Sequence, residues 1–230
     1  MKKLIVFTGA GISQESGIKT FRDSEGLWEE YDIMDVATPE AWDKDPELVL
    51  EFYNKRRKQA LAAEPNAAHK EIAELQKHFD VHVITQNIDD LHERAGSTKV
   101  LHLHGEITKV RSAVTEEIYV IGDKPTFIND FCKSGHQLRP HVVWFGEDVP
   151  NMIAAQELIK TADILLIIGT SLNVYPAAGL VHETSQKCTK YLVDPSSSMT
   201  TKSMKNLTFI NEKATKGVAI VASILKEEYL

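Results

Sequence analysis

"FTGAGISQESGIKTFR", residues 7–22, holds Gly9 and Gly11 where a loop leaving the first strand of a doubly wound sheet turns its backbone N–H groups toward a pyrophosphate. The usual dinucleotide fingerprint also needs a third glycine at position 14 and an acidic residue closing a second strand roughly 20 residues on. Gln14 stands at that position, and "SGIKTFRDSEGLW" runs on into helical patterns instead. On these residues alone two readings stay open, a phosphate loop and a tight strand-to-helix turn with no ligand.

Working outward, short apolar runs recur between helical patterns: "KLIVFT" (3–8), "VHVIT" (81–85), "DILLIIG" (163–169), "KYLVD" (190–194) and "LTFI" (207–210). Such alternation predicts an α/β fold with a mostly parallel, doubly wound, Rossmann-like sheet. Asp45 as N-cap, Pro46 at the first helical position and Pro65 as terminator predict a helix over about 46–63. Asn66 can cap the next, on which Ala68, Ile72 and Leu75 repeat at helical spacing, and 214–228 is helical again. Two stretches break the alternation: 24–65 is helical, and 106–140 mixes charges, glycines and short β-like pieces such as "EIYVIG". They are assigned to a smaller inserted module, leaving 1–23, 66–105 and 141–230 to the sheet domain.

Composition narrows the function. With 230 residues, 43% of them hydrophobic, the chain can bury a substantial core. Its net charge of −7 argues against a broad nucleic-acid surface, which needs clustered Lys and Arg. No stretch approaches the roughly 18 apolar residues of a membrane span, and "MKKLIVFTGAG" lacks the length and cleavage site of a signal peptide. A cytoplasmic monomer is expected. Cys132 and Cys188 alone allow neither a disulfide framework nor a four-cysteine zinc site.

Polar loops at the ends of the runs carry the chemistry. "TQNIDDLHERAG" puts Gln86, Asn87 and Asp89 after the run at 81–85, with Asn87 or Asp89 capping a helix that ends at Gly96. "IGTS" offers Gly169, Thr170 and Ser171 after the strongest strand. "LHLHGE" alternates with period two, so His102 and His104 face one way and Leu101 and Leu103 the other. A neutral imidazole is suited to taking a proton from a sugar hydroxyl.

In order, "GAGIS…SGIKTFR", "TQNID", "LHLHGE", "RPHVVWFGE" and "GTS" resemble the sirtuin family of NAD-dependent protein deacylases, over Gly9 to about Ala214. That resemblance implies NAD as cofactor despite Gln14, and acyl-lysine proteins or peptides as substrates. It implies that Gly9, Ala10, Gly11 and Ser13 cradle the pyrophosphate. Phe21 and Arg22 would begin a loop over the nicotinamide ribose, with Trp28 near it. Gln86, Asn87, Ile88 and Asp89 would hold the ribose and carboxamide, Gly169, Thr170 and Ser171 the adenosine half, and Ala214 the adenine. Val143, Trp144, Phe145, Gly146 and Glu147 resemble the strand beside which a substrate peptide pairs. His104 matches the catalytic histidine, acting with Asn87, and the products would be nicotinamide and O-acyl-ADP-ribose. Protein ADP-ribosyl transfer and a non-catalytic NAD-binding module are the alternatives.

The chain departs from the family at several positions. Most sirtuins carry two CxxC pairs in the small module, whereas 106–140 has Cys132 alone, so no metal is expected and Ile118, Val120, Ile121 and Phe127 are candidates to hold the module. Asp23 replaces a glycine, and Leu192 an asparagine at the adenine ribose, where Asp194 at a strand end could take over. "FYNKRR" puts Tyr53 and Arg56 on one helical face, able to reach one carboxylate, while Lys55, Arg57 and Lys58 read as solvated. With the small Ala37, the pair matches the subgroup that removes succinyl and malonyl groups.

Overall fold

The computed structural model describes residues 1–19, 31–170, 172, 174–196 and 204–230, and the backbone of 27–28. In chain order the strands and α-helices are β1 (Lys3–Thr8), β2 (Leu27–Trp28), β3 (Tyr31–Asp32), α1 (Ile33–Val36), α2 (Pro39–Lys44), α3 (Pro46–Ala62), α4 (Ala67–Leu75) and β4 (Asp80–Thr85). Then come α5 (Leu91–Arg94), β5 (Val100–His102), β6 (Gly105–Ser112), β7 (Ile118–Val120), β8 (Leu138–Val142), α6 (Met152–Lys160), β9 (Ile164–Ile168), β10 (Thr189–Val193), β11 (Leu207–Ile210) and α7 (Ala214–Tyr229).

The main sheet has the order β11-β10-β9-β1-β4-β5, every pair parallel. All five apolar runs are in it, and the central strands β1 and β9, buried on both faces, are the most continuously apolar. Leu4 and Val6 of β1 pack with Ile72 and Leu75 of α4 and with Val218, Val221 and Leu225 of α7. Ile5 and Phe7 face the opposite side, where Ala155 and Ile159 of α6 and Leu180 cover the sheet. The chain winds from β1 outward through β4 and β5, then returns to β9 on the other side of β1, so the order reverses between β1 and β9. In open α/β sheets ligands bind outside the carboxyl ends of the strands at that reversal.

The helix starts follow their caps. Asp45 Oδ1 accepts from Leu48 N (3.0 Å) at α3, and Asn66 Oδ1 from Ala68 N (2.9 Å) at α4. Each such cap contributes about 1 kcal/mol. The helix after Asp89 is shorter than expected: α5 closes at Arg94 with Asp90 at its N-cap, while Asp89 Oδ1 accepts from Leu91 N (3.2 Å) and Gly96 takes up a positive φ of 104°.

A second, antiparallel sheet, β7-β6-β8, lies against the helices of 33–62. Two expectations fail here. Ile118, Val120 and Phe127 are 50%, 75% and 60% exposed and Ile121 is half-buried, so these four do not hold this sheet; its buried apolar residues are Ile107 and Val110 of β6 and Val142 of β8. A polar cluster ties the β7 side: Glu117 accepts from Tyr119 Oη (2.7 Å) and Thr115 Oγ1 (2.9 Å), and Tyr119 Oη accepts from Lys133 N (3.0 Å). Beneath them Cys132 Sγ donates to Ser112 Oγ (3.6 Å). Arg57 is the second correction, since it is only 2% exposed. Its Nε donates to Ile107 O (2.8 Å) and its Nη1 to Lys124 O (3.1 Å), tying α3 to β6 and to the loop after β7. Burial lowers its pKa to about 10.

Candidate active site

Thr8 and Thr85 close β1 and β4 side by side, with Thr8 Oγ1 donating to Thr85 Oγ1 (2.8 Å). Thr85 Oγ1 in turn accepts from Asn87 N (3.0 Å), and Gln86 N donates to Thr8 O (2.9 Å), so the loop after β4 is pinned across the sheet's rim. From that loop Asn87 Nδ2 donates to Ser13 Oγ (3.1 Å), and Ser13 Oγ donates to Asp89 Oδ2 (3.1 Å). Ser13, Asn87 and Asp89 are all buried, and burial raises the Asp89 pKa while its Leu91 and Ser13 donors lower it. Gln86 reaches the other way, its Nε2 donating to Thr170 Oγ1 (3.1 Å). The loops after β1, β4 and β9 therefore converge on one edge.

The glycines make that convergence possible. Gly9 N donates to Ile168 O (3.0 Å) and Gly11 N to Gly169 O (2.9 Å), and Gly169 lies at φ 59°, in the left-handed region. These two amides are thus engaged within the protein, which gives both glycines a packing role. Ala10 lies between them at the start of a short 3-10 helix, Ala10–Ile12. Ala214 opens α7, whose first turn is capped from across the loop: Glu15 accepts from Thr215 N and Thr215 Oγ1, both at 2.8 Å. Asp194 is buried after β10, and its Oδ1 accepts from Ser196 N (2.8 Å).

His104 stands at the rim with Nδ1 3.0 Å from Gln86 O. A carbonyl only accepts, so Nδ1 carries the proton and Nε2 is left with its lone pair, the form a general base needs. Burial holds the His104 pKa below the ordinary 6.5, the Gln86 bond opposing it in part, so the ring is neutral near pH 7. His102, two residues earlier, presents Nδ1 to the next carbonyl, Asn87 O (2.9 Å), as the period-two pattern implied.

The acyl-side residues form a second group. Ala37, Tyr53 and Trp144 share one buried cluster, and Trp144 Nε1 donates to Tyr53 Oη (3.1 Å). Arg56 lines a small cavity together with Gln59, Ile88, Asp89 and Ile107, which brings the helical insert to the rim. Val143 N donates to His104 O (3.0 Å). Beyond it Trp144–Glu147 is a turn closed by Glu147 N donating to Trp144 O (3.1 Å), with Gly146 at φ 92°. Phe145 N donates to Ala37 O (3.0 Å), and Glu147 takes a bidentate pair from Arg139 (2.6 and 3.0 Å). Sequence reasoning missed Arg139, buried with its guanidinium 3.3 Å from the Trp144 ring centroid; its place five residues before Trp144 carried no signal. Phe21, Arg22 and Ser171 lie outside the described residues, as does the side chain of Trp28.

A dinucleotide fits this donor set. Neutral amide and hydroxyl groups from three loops gather at the sheet's reversal point, with one carboxylate among them, Asp89. Among the described residues no group of three or more His, Cys, Asp or Glu could hold a metal, and no helix is long and apolar enough to cross a membrane.

Residues 9–176 match the Sir2 family. A Helicobacter pylori protein named NAD-dependent protein deacylase is 54% identical over 195 residues, covering 85% of each chain. One of the same name from Bacteroides thetaiotaomicron is 49% identical over 231 residues, 98% of each. Among solved structures, a Sir2 homolog–NAD complex superposes with a TM-score of 0.89 at 36% identity, over 100% of this chain and 91% of that one. A Sir2–p53 peptide–NAD+ complex gives 0.78 at 29% identity, over 98% and 92%. On the match and these likenesses together, the chain belongs to the Sir2 family.

Proposed function

We propose that this chain, an NAD-dependent protein-lysine deacylase, takes succinyl and malonyl groups in preference to acetyl, and that His104 is its general base. Bound NAD supplies a ribose carbon from which nicotinamide can leave and a ribose hydroxyl that must lose a proton. His104 holds the lone pair for that proton at Nε2, its tautomer fixed by Gln86 O. Asn87, Asp89 and Ser13 form the polar wall that orients the ribose and carboxamide, and Gln86 and Thr170 continue it toward the adenosine half. The Gly9–Gly11 and Gly169 loops, with Ala10, shape the pyrophosphate seat. Asp194 and Ala214 border the adenine side. Closing the rim excludes water, and orientation supplies much of the rate.

The position of Arg56 carries the acyl preference. Arg56 borders the cavity that Ile88 and Asp89 also line, and a guanidinium there suits an acyl chain ending in a carboxylate. Tyr53 Oη accepts from Trp144 and so keeps its own proton to donate, and burial raises its pKa, so the phenol stays protonated. Ala37, 2% exposed beside it, leaves room for the longer chain. The turn from Val143 to Glu147, with Trp144, Phe145 and Gly146, flanks the incoming peptide. With an intracellular dinucleotide as cofactor and a net charge of −7, we place the enzyme in the cytoplasm as a monomer with no nucleic-acid partner. The test is kcat/KM for succinyl-, malonyl- and acetyl-lysine peptides. Arg56→Met is expected to lower the succinyl value about a hundredfold and the acetyl value little. An unchanged succinyl-to-acetyl ratio would sink the preference.

A further inference from the structure

His102 is buried with an acceptor at each ring nitrogen: Nδ1 lies 2.9 Å from Asn87 O and Nε2 2.8 Å from Glu93 Oε1. A carbonyl and a carboxylate offer no proton, so both bonds exist only while both nitrogens carry hydrogen. The ring is then an imidazolium paired with Glu93 of α5. Asn151 Nδ2 donates to His102 O (2.7 Å), fixing the backbone of β5 from the α6 side. Neighbouring carbonyls of one loop are thereby held by two histidines, Gln86 by His104 and Asn87 by His102.

We propose that the His102–Glu93 pair is a positioning device that locks the Asn87 peptide, and through it the Asn87 side chain, for the dinucleotide. It rests on the assignment of Asn87 to the ribose and carboxamide. Neutral His102 can donate from one nitrogen only; the stronger bond, to the Glu93 carboxylate, keeps that proton on Nε2, and Nδ1 releases Asn87 O. Affinity for NAD therefore falls as pH rises through the His102 titration, while the His104 titration sets the acid side.

The groups facing His102 are Glu93 and His92 of α5, Asp89 of the loop after β4 and Glu106 of β6. Burial works against the imidazolium. The Glu93 bond and charge, the Asn87 bond and Glu106 outweigh it, so its pKa is raised above 6.5. His92 stays uncharged, its pKa well below 6.5.

Two measurements test this. In the parent protein without NAD, the Asn87 side-chain amide signals should shift with the same midpoint as the His102 ring signals in an NMR titration. Independent midpoints would overturn the coupling, and this needs no variant. In kinetics, Glu93→Gln removes the counter-charge. It should move the alkaline limb of kcat/KM for NAD to lower pH and lower its plateau about tenfold, the worth of one hydrogen bond to a charged group. His102→Gln should abolish that limb. A limb unmoved by Glu93→Gln would refute the device. Asn87→Ala is the separate check on the underlying assignment: if it binds NAD like the parent, that assignment fails even where the two NMR midpoints coincide.

Discussion

Gly169 and Gly11 sit backbone to backbone: a methyl carbon added to Gly169 would lie 2.5 Å from Gly11 C, and one added to Gly11 would lie 2.6 Å from Gly169 Cα. Neither loop can yield, because Gly11 N donates to Gly169 O at the same place. Gly11→Ala and Gly169→Ala should therefore each cost roughly 2–4 kcal/mol and weaken NAD binding. Gly17 also has a positive φ, 87°, but open space around it, so Gly17→Ala should cost about 1 kcal/mol. Thermal melts of the three variants check the contrast. A Gly169→Ala protein as stable as Gly17→Ala would contradict it.

His104→Ala should lower kcat by about 10²–10⁴ with little change in melting temperature, the usual share of a general base. The parent's activity should fall toward acid as His104 gains a proton. Because burial lowers its pKa, that limb should lie below 6.5. A limb above that value in the parent, or a fully active His104→Ala, would remove His104 from the role.

The fold was legible where the sequence carries its own period. β1 occupies 3–8 and β9 164–168, within the apolar runs themselves, because strands covered on both faces admit few polar residues. Likewise the spacing in "LHLHGE" put both histidines on one side, and both reach the 86–87 carbonyls. Arg57 was half legible. It follows Val49 and Tyr53 at four-residue steps on the face that α3 buries, whereas Lys55 and Lys58 lie off that face and are exposed; its partners, the carbonyls of Ile107 and Lys124, stayed hidden because any residue type supplies them. Glu117 was hidden likewise, because its role depends on Tyr119, Thr115 and a turn at Lys133 that only the folded chain assembles.

If the Glu117 cluster ties the β7 side of the small sheet, a chelator should leave both melting temperature and activity unchanged, while Glu117→Gln lowers the melting temperature and exposes 113–137 to proteolysis. The donors around Glu117, Tyr119 first, depress its pKa from 4.5 to about 2. A depressed carboxylate contributes stability that is present above the unfolded value of 4.5 and lost as pH falls toward 2. Protease mapping as pH falls from 4.5 toward 2 should thus find cleavage within 113–137 rising in the parent. A chelator-induced drop in melting temperature, or a Glu117→Gln protein cleaved no faster than the parent, would count against it.

The main sheet carries its own acid weakness under β1 and β4. His92 Nε2 lies 3.1 Å from Thr8 Oγ1, which already donates to Thr85, so the histidine donates here, and burial keeps its ring neutral. The His69 ring packs edge-on against it, centroids 4.9 Å apart, and among the described residues neither His69 nitrogen has a hydrogen-bond partner. Burial lowers the His69 pKa from 6.5 to about 4 and puts that of His92 well below 6.5. The unfolded chain therefore takes up protons that the folded one refuses. The resulting loss begins as pH falls below 6.5 and is complete for His69 near 4. At 1.36 kcal/mol per unit, His69 alone accounts for roughly 3 kcal/mol. Replacing it by an apolar ring removes that proton uptake and leaves no buried polar atom unpaired, so His69→Phe should match or exceed the parent at pH 7 and lose about 3 kcal/mol less on acidification. Urea unfolding at neutral and mildly acid pH reads the difference directly. Equal losses in the two proteins would place the acid sensitivity elsewhere.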